Sequence, residues 1–246
     1  MLRPFYHTPV IAVKVKRILP HDPQAFTQGL VLDPTGTRFY ESTGLYGKST
    51  IRHVDLATGR VEQVNSLPAE YFGEGLTLFH DRLIQLTWKE RTALVYPSTR
   101  LRDGPSQIIP WPREGWGLTH NGSELISSDG SEYLYFHDPQ PPFRTKRKLL
   151  VETWERGRLQ SLPLLNSLQY INGYIYANIW RTNRIAVISL QTGIVQQWLD
   201  LTALQPSNAT SEMVANGIAY HPPSRQLYVT GKYWPSVYEI DLPPST

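Results

Sequence analysis

A repeat of roughly 45 residues constrains the fold of this chain more than any other feature of its sequence. Each copy begins with a short apolar segment, continues through a turn, and ends in a second segment that finishes in polar and aromatic residues. The five copies start at Gly29-Leu30, Gly75-Leu76, Gly117-Leu118, Ser167-Leu168 and Gly217-Ile218, with spacings of 46, 42, 50 and 50 residues. A period of this length is typical of repeat architectures, in which each unit buries its apolar faces against its neighbours.

Turn residues and further strand patterns complete each repeat as a unit of four strands. The two segments of a copy are joined by Gly, Asn, Asp or Pro, which tight hairpins require. One or two more strand patterns follow, most clearly Ser49 to Leu56 with Arg60 to Leu67, and Arg184 to Leu190 with Ile194 to Leu201. Four strands in about 45 residues are typical of a propeller blade. The sequence therefore predicts an all-β fold, a five-bladed β-propeller, as a single domain over residues 1–246.

The count of strands also predicts how the ring closes. The fifth copy supplies three strands and ends with Ser236 to Asp241, while the N-terminal segment Val10 to Val15 has no partner in the first copy. We expect the ring to be closed by this N-terminal strand pairing with the last blade, which removes two free edges. A β-sandwich is the alternative, but nothing in a sandwich requires a repeat of this period.

Composition excludes several kinds of chemistry. The 246 residues include no cysteine, which excludes disulfides, thiol catalysis and zinc sites built on cysteine. The seven histidines show no metal-ligand spacing, and there is no Gly-x-Ser-x-Gly, phosphate-loop or His-Glu-x-x-His motif. No stretch approaches the ~18 apolar residues of a membrane span. Residues 1–10 lack the apolar core of a signal peptide, so we expect a cytoplasmic protein, or a periplasmic or secreted one if a signal peptide has been removed.

The net charge of +3 is too small to indicate a nucleic-acid-binding protein. The one local basic cluster consists of Arg144, Lys146, Arg147, Lys148, Arg156 and Arg158. A phosphate-binding patch uses such residues, but so does an edge strand that carries Lys and Arg against aggregation, and no nucleic-acid motif accompanies the cluster. We therefore expect neither nucleic acid nor a membrane as partner, and we expect a monomer.

The hairpin topology predicts which residues meet at one end of the ring. The first strand of a hairpin begins at the end where the second strand finishes. The residues at these positions are Gln28, Glu74, Trp116, Asn166 and Asn216 at the beginnings, and Glu41 with Ser42, Trp88 with Lys89, Asp129, Trp180 with Arg181, and Lys232 at the ends. Indoles, acids, amides and a lysine at one mouth predict a cleft for a small ligand. Taken singly, each has a simpler explanation, since tryptophans pack, loop acids are solvated and asparagines occupy turns.

These positions fall in segments that resemble the plant and bacterial glutaminyl cyclases, also called glutamine cyclotransferases. The matching segments are residues 26–30 (FTQGL), 41–49 (ESTGLYGKS), 72–76 (FGEGL), 87–89 (TWK), 114–119 (EGWGLT), 128–131 (SDGS), 165–166 (LN), 177–180 (ANIW), 216–219 (NGIA) and 230–235 (TGKYWP). They follow one another in order from residue 26 to residue 235, one or two in each blade. The ordered set is far more specific than any one segment.

The resemblance implies a five-bladed propeller that converts the N-terminal glutamine of peptides and proteins to pyroglutamate and releases ammonia. By the resemblance, Glu74 is the catalytic acid/base, Gln28, Asn166 and Lys232 bind the polar parts of the substrate, and Trp88, Trp116 and Trp180 wall the pocket. Glu41 and Glu114 remain as further acids near the rim and are also expected to bind substrate. The family implies no required cofactor and no metal for the chemistry, although a structural ion in the central channel is compatible with it.

The residue types support a mechanism for that reaction. Tryptophan walls fold the glutamine side chain and exclude water. A carboxylate that is partly desolvated by those rings has a raised pKa, so Glu74 is suited to pass a proton from the amine to the departing nitrogen. A donor such as Lys232, or the amide of Gln28 or Asn166, stabilises the developing oxyanion.

One segment departs from the family. Residues 165–169 read LNSLQ where the family commonly has LNELE, so Ser167 and Gln169 replace two carboxylates. If one of those carboxylates normally holds the substrate amine, this protein is slower or prefers another substrate. Two alternatives therefore stay open: a propeller that binds peptide N-termini or small ligands without catalysis, and a calcium-dependent lactonase or esterase, whose ion needs convergent carboxylates and amides.

Overall fold

The computed structural model of the chain describes residues 7–243. Residues 1–6 and 244–246 lie outside the described residues. They include part of the N-terminal segment considered as a signal peptide and both ends of the predicted domain. Within the described range, no helix has the length and apolar character needed to cross a membrane.

The secondary structure of the described residues is almost entirely β. The first ten strands are β1 (Val10–Ala12), β2 (Val15–Pro20), β3 (Thr27–Leu32), β4 (Arg38–Thr43), β5 (Thr50–Asp55), β6 (Val61–Ser66), β7 (Gly73–Phe79), β8 (Arg82–Thr87), β9 (Thr92–Pro97) and β10 (Gln107–Pro110). The next are β11 (Leu118–His120), β12 (Leu125–Ser127), β13 (Tyr133–His137), β14 (Thr145–Leu150), β15 (Glu152–Glu155), β16 (Arg158–Ser161) and β17 (Leu165–Ile171). The last are β18 (Tyr174–Ile179), β19 (Arg184–Ser189), β20 (Val195–Asp200), β21 (Ala215–His221), β22 (Gln226–Gly231) and β23 (Ser236–Ile240). Two short 3-10 helices cover Leu101–Asp103 and Thr202–Leu204.

Each repeat forms one antiparallel blade whose first strand is innermost. The strand orders are β3-β4-β5-β6, β7-β8-β9-β10, β11-β12-β13-β14, β17-β18-β19-β20 and β21-β22-β23-β2. The innermost strands β3, β7, β11, β17 and β21 contact one another in that cyclic order, with β21 returning to β3. The predicted five-bladed propeller is therefore confirmed.

The apolar core is divided among the five blade interfaces. Each of the five clusters of buried side chains takes its members from two neighbouring blades. For example, Tyr40 and Ile51 of the first blade pack with Leu76 and Leu94 of the second. Four short strands cannot bury both of their faces alone, so each blade depends on its neighbours for a core.

The ring closes through a different N-terminal segment from the one predicted. Strand β2 pairs antiparallel with β23, with Leu19 opposite Val237, and so becomes the outer strand of the fifth blade. The predicted segment Val10 to Val15 instead contributes β1, which runs parallel to β20 and adds a fifth strand to the fourth blade. The expectation that an N-terminal strand joins the last blade is confirmed, but the residues assigned to it were wrong.

The basic cluster lies on an outer strand and on an additional hairpin. Strand β14 is the outermost of the third blade, and the side chains of its first four residues are exposed. Arg147 is paired with Glu124 at 2.9 Å, and Lys146 with Asp138 at 3.5 Å. Arg158 belongs to the hairpin of β15 and β16, which the repeat pattern did not predict. These contacts fit the interpretation of a protected edge strand.

Candidate active site

A local irregularity places a polar side chain at the start of four inner strands. In β3, β7, β17 and β21 the pairing register with the next strand shifts over the second residue of the strand, which is Gln28, Glu74, Asn166 or Asn216. A β-bulge redirects a side chain relative to the strand around it. The repeat pattern placed these four residues just before the inner strands. In the structure they lie inside the strands, at the second position.

Glycines follow three of the site residues because neighbouring inner strands approach closely there. A Cβ atom on Gly75 would lie 2.6 Å from the backbone nitrogen of Leu118 and 2.7 Å from the carbonyl oxygen of Trp116. A Cβ atom on Gly117 would collide with the carbonyl oxygen of Asn166. The Glu74-Gly75 and Trp116-Gly117 pairs are thus needed for backbone packing around the axis as well as for the site.

Aromatic side chains form the walls of a cavity at this end of the ring. The cavity has a volume of about 840 Å³, and its lining includes Trp88, Trp116, Trp180, Phe26 and Phe72. Trp116 and Trp180 meet edge to face with their ring centroids 5.5 Å apart, and Phe72 meets Trp88 at the same distance. Such edge-to-face contacts hold the rings in fixed relative orientations. The aromatic part of the wall is therefore apolar, and its rings pack against one another.

Glu114 fixes two of the three indoles from behind the wall. Its Oε2 atom accepts hydrogen bonds from Trp88 Nε1 at 3.0 Å and from Trp116 Nε1 at 3.3 Å. Glu114 does not itself line the cavity. The structure therefore gives this residue a role in orienting indoles, and the predicted contact between Glu114 and substrate stays a prediction.

Glu74 lies at the inner end of the cavity, within a chain of amide hydrogen bonds. Asn216 Nδ2 donates to Gln28 Oε1 at 2.7 Å, and Gln28 Nε2 donates to Glu74 Oε1 at 2.9 Å. Asn216 also donates to the carbonyl oxygen of Thr27, which fixes the start of the chain. The geometry therefore orients the Glu74 carboxyl group through a neutral partner.

Burial raises the pKa of Glu74 well above the ordinary value of a glutamate. The positive charge of Lys232 opposes this shift in pKa, and the negative charges of Glu90 and Glu114 add to it. Desolvation disfavours the charged form of a carboxyl group, which is why burial is the largest cause. Glu74 thus holds its proton at a higher pH than an ordinary glutamate does, which suits a group that has to act as both base and acid.

Lys232 faces the same cavity from the fifth blade. Its Nζ atom lies 4.4 Å from the centroid of the Phe26 ring. Burial lowers the pKa of Lys232, while the negative charges of Glu74 and Glu212 raise it. The next residue, Tyr233, has a φ of 59°, in the left-handed region that side chains other than glycine seldom adopt. Its backbone N–H donates to the carbonyl of Ala25, which holds this strained turn against the first blade.

Glu41 lies outside the cavity, which corrects its expected place at the rim. The residue sits within β4, two positions before the strand ends, and is 1% exposed. Its carboxylate accepts from His21 at 2.9 Å, from Thr27 Oγ1 at 2.7 Å and from Arg52 at 2.6 Å. Burial alone raises the pKa of Glu41, but the charges of His21 and Arg52 and these hydrogen bonds lower it to about 2. We assign Glu41 to a buried ion-pair network of the first blade.

The two departures from the family also lie away from the cavity lining. Ser167 is buried in the bulge of β17, and Gln169 donates to the carbonyl oxygen of Tyr170 further along that strand. Neither residue lines the cavity. The geometry therefore gives no reason to expect weaker substrate binding from either change.

Two amide oxygens at the bulges of the inner strands are buried and have no hydrogen-bond partner among the described residues. Asn166 Oδ1 and Asn216 Oδ1 are both buried in this way. Oxygen atoms of this kind suit a hard cation or a water molecule, so they fit the structural ion that the resemblance allows. Within residues 7–243, no group of three or more His, Asp or Glu side chains is placed to hold a metal ion.

The structure brings together most of the site residues that the sequence predicts. The cavity lining includes Gln28, Glu74, Trp88, Trp116, Asn166, Trp180 and Lys232. Sequence reasoning missed the aromatic residues Phe26 and Phe72, although both begin segments that match the family. It also missed most of a polar wall, although Arg181 of that wall was among the predicted strand-end residues. The missed polar residues are Thr182, Asn183, Gln205, Thr210, Ser211 and Glu212, which no repeat or motif marks.

Comparisons with known proteins identify the family and the fold of this chain. A sequence model of the glutamine cyclotransferase family matches residues 3–242. A glutaminyl-peptide cyclotransferase from Arabidopsis thaliana is 40% identical over 237 residues, which are 94% of this chain and 71% of the relative. The crystal structure of Myxococcus xanthus glutaminyl cyclase is similar with a TM-score of 0.84 and 34% identity, over 95% of this chain and 97% of that one. A structure of U3-55K, with a TM-score of 0.57 and 11% identity over 92% and 98% of the chains, is similar in fold alone.

Proposed function

The chain belongs to the glutamine cyclotransferase family and is an enzyme with glutaminyl-peptide cyclotransferase activity, and we propose that Glu74 carries the proton in this reaction. The family implies substrates that are peptides or proteins with an N-terminal glutamine. The observation that carries the proposal is the position of Glu74, which is buried, hydrogen-bonded to Gln28 and placed in the cavity walled by three indoles.

The reaction is an intramolecular acyl transfer. The α-amine nitrogen of the glutamine attacks the carbon of its own γ-carboxamide, so one C–N bond forms and closes a five-membered ring. The bond between that carbon and the amide nitrogen then breaks, and ammonia leaves. The attacking amine loses one proton and the leaving nitrogen gains one, so the step needs a group that transfers a proton but no external reagent.

Glu74 supplies this proton transfer. As a carboxylate it accepts the proton from the attacking amine, and as a carboxylic acid it donates that proton to the departing nitrogen. A raised pKa suits both steps because it makes the carboxylate a stronger base and keeps the acid form accessible at a higher pH than in an ordinary glutamate. The hydrogen bond from Gln28 leaves Glu74 Oε2 free to face the substrate.

The indoles supply position, and Lys232 supplies charge. Trp88, Trp116 and Trp180 enclose the glutamine side chain and favour the folded conformer in which the amine lies near the carboxamide carbon. The Lys232 amine and the second N–H of the Gln28 amide are donors for the oxyanion that develops on the carboxamide oxygen. Asn166 lines the same cavity and binds the polar end of the substrate.

A direct test compares Glu74→Gln with a control at an exposed acid. Ammonia release from a peptide with N-terminal glutamine is measured, and pyroglutamate formation is confirmed by the mass loss. We expect Glu74→Gln to lower kcat by about a thousandfold, since general acid–base catalysis contributes 10²–10⁴-fold. Glu155→Gln changes the net charge by the same amount as Glu74→Gln, but at an exposed residue of the hairpin formed by β15 and β16. It is expected to retain wild-type activity. Retention of more than a tenth of wild-type kcat by folded Glu74→Gln contradicts the assignment.

We also propose that the chemistry requires no cofactor. Every step above is assigned to a side chain of this chain. The buried amide oxygens of Asn166 and Asn216 are proposed to contact a structural ion only, with no part in the chemistry. Dialysis against a chelator is expected to leave kcat unchanged. Loss of activity that returns on addition of Ca²⁺, with no change in thermal stability, contradicts this part of the proposal.

A further inference from the structure

The cavity is larger than one glutamine residue requires. Its volume of about 840 Å³ is near the upper end of the roughly 300–1,000 Å³ that hold drug-sized ligands. The catalytic residues occupy one part of it, at the starts of the inner strands and the ends of the second strands. The other part is a wall of different composition, which a peptide longer than one residue contacts.

Polar residues from the fourth blade and the connection to the fifth form this second wall. They are Arg181, Thr182, Asn183, Gln205, Thr210, Ser211 and Glu212. All lie on one side of the mouth, in the turn after β18 and in the connection between β20 and β21. Five of the ten other lining residues are aromatic, and Gln28, Glu74, Asn166 and Lys232 are assigned to the glutamine, so a peptide main chain that leaves the reaction centre finds its polar partners on this side.

Hydrogen bonds hold this connection against the catalytic part of the cavity. Gln205 Nε2 donates to the carbonyl oxygen of Met213 at 3.1 Å, and Trp234 Nε1 donates to the same oxygen at 3.0 Å. The backbone N–H of Lys232 donates to the carbonyl oxygen of Val214 at 3.0 Å. The position of the wall is therefore fixed relative to Lys232 by direct contact.

Glu212 is an exposed acid of this wall whose charge is not neutralised by a neighbour. Among the described residues, no hydrogen bond or ion pair reaches its carboxylate, and its charge is felt by Lys232. The other acids near the mouth are occupied, since Glu90 accepts from Tyr46 Oη and Glu114 accepts from two indoles. Arg181, the cation of the same wall, lies over the Trp180 ring at 4.4 Å.

We propose that Glu212 is a specificity determinant that favours substrates with a positively charged side chain directly after the N-terminal glutamine. This inference rests on the proposed function, because it takes the reaction centre to be at Glu74. With the glutamine held there, the second residue of the peptide lies along the polar wall. A Lys or Arg side chain at that position reaches a carboxylate that has no other partner, and a Glu side chain meets a like charge.

The test uses three amidated peptides that are identical except for Lys, Ala or Glu at the second position. At low ionic strength we expect kcat/KM for the Lys peptide to exceed that for the Glu peptide by about fivefold, the size of an exposed charge pair. Glu212→Gln is expected to bring this ratio close to one, and Glu212→Lys to invert it. Glu155→Gln, with the same change in net charge, is expected to keep the wild-type ratio.

Two kinetic results overturn the proposal: an unchanged ratio in Glu212→Gln, or a wild-type preference for the Glu peptide that Arg181→Gln abolishes. The second result assigns the selectivity to the cation of the wall instead. Binding of the same peptides to the Glu74→Gln variant separates this inference from the catalytic one. The dissociation constants are measured from the quenching of the fluorescence of the cavity indoles. Release of ammonia from none of the peptides contradicts the proposed catalysis, whereas equal dissociation constants for all three peptides overturn the role of Glu212.

Discussion

Glu41 in the first blade and Glu74 in the second are both carboxyl groups that are almost sealed from solvent, at 1% and 5% exposure. Their pKa values nevertheless move in opposite directions, that of Glu41 to about 2 and that of Glu74 well above the ordinary glutamate value. Burial acts on both in the same sense, because it disfavours the charged form. The difference therefore lies in the neighbours.

Glu41 has cationic partners in direct contact, whereas the hydrogen-bond donor to Glu74 is neutral. Arg52 and His21 bind the Glu41 carboxylate, and Thr27 adds a hydroxyl donor. Glu74 receives one amide N–H from Gln28 and feels Lys232 only as a nearby charge. A paired carboxylate stays ionised and holds structure together, whereas a buried carboxyl group with a neutral donor is able to exchange protons. The same residue type thus has two roles in adjacent blades.

Replacing Glu41 tests the structural side of this comparison and has the largest expected effect on stability. Glu41→Gln removes the buried negative charge that Arg52 and His21 bind, and only the Arg52–Asp22 ion pair remains, which costs about 3 kcal/mol of the free energy of unfolding. For a protein of this size, we expect Tm to fall by about 6–12 °C in thermal denaturation. Glu62→Gln, which breaks the more exposed pair with Arg38, is the matched control and is expected to cost about 1 kcal/mol or less. Equal Tm values for wild type and Glu41→Gln contradict the role of the network.

The stabilisation by Glu41 is also expected to depend on pH. Because its folded pKa is depressed from 4.5 to about 2, its contribution to stability is present above pH 4.5 and is lost as pH falls towards 2. Acid titration of Tm should therefore bring wild type and Glu41→Gln together at the acid end. A gap in Tm that stays constant from pH 7 to pH 2.5 is inconsistent with this linkage.

Removing the charge of Lys232 is the next largest change, and it tests the catalytic side. Lys232→Gln is expected to lower kcat by about 100-fold, the usual cost of losing one donor to an oxyanion. Since the charge of Lys232 lowers the pKa of Glu74, its loss raises that pKa further and moves the acidic limb of kcat/KM to higher pH. A pH–rate profile over the same range as for wild type checks both effects. An acidic limb that moves to lower pH contradicts the coupling between the two groups.

Two substitutions of Glu114 have smaller expected effects. They separate the charge of Glu114, which acts on the pKa of Glu74, from its role in positioning two indoles. Glu114→Ala removes the acceptor of two indole N–H groups and is expected to raise KM by about tenfold, a net loss of about 1.4 kcal/mol in hydrogen bonding. Glu114→Gln keeps an acceptor oxygen but removes a charge that raises the pKa of Glu74, so KM stays near wild type and the acidic limb moves to lower pH. Steady-state kinetics of both variants provide the comparison. Equal KM values for the Ala and Gln variants count against the orienting role.

The smallest effect is expected in the stability of Glu74→Gln, with a sign opposite to that of Glu41→Gln. A buried carboxyl group with a raised pKa loses stability as pH rises above its unfolded value of 4.5, because ionisation in the folded state is unfavourable. Glutamine has no such cost, so Tm of Glu74→Gln should equal that of wild type at pH 4 and exceed it at pH 8. Melting curves at the two pH values measure this, and a lower Tm at pH 8 is the contrary result.

The sequence predicts the number of blades and the strand ends that meet at one end of the ring because both follow from the repeat. Gln28, Glu74 and Asn166 occupy equivalent positions in their repeats, so the topology alone brings them together. The bulges at these positions have no sequence signal of their own, since they arise where the inner strands converge. The predicted position of Glu41 at the rim of the cavity was wrong, because a strand end does not reveal which face of the sheet a side chain occupies.

Other features depend on contacts between distant parts of the chain. The segments Val10–Ala12 and Val15–Pro20 have similar strand patterns, and only packing in the ring assigns the first to the fourth blade and the second to the fifth. The polar wall at residues 205–214 lies in a connection without periodicity, so no pattern in the sequence indicates that it borders the cavity. Periodic elements were predictable, and their tertiary partners were not.

The pairing of β2 with β23 has a consequence for how the protein is made. Leu19 leaves the ribosome long before Val237, yet each is the other's neighbour in the finished sheet. Nascent chains therefore carry β2 without its partner until residues 236–240 have been synthesised, and during that time the unpaired strand is a template for aggregation. A chain interrupted before Ser236 lacks the strand that pairs with β2, so the edge of β2 stays open to pairing with other chains.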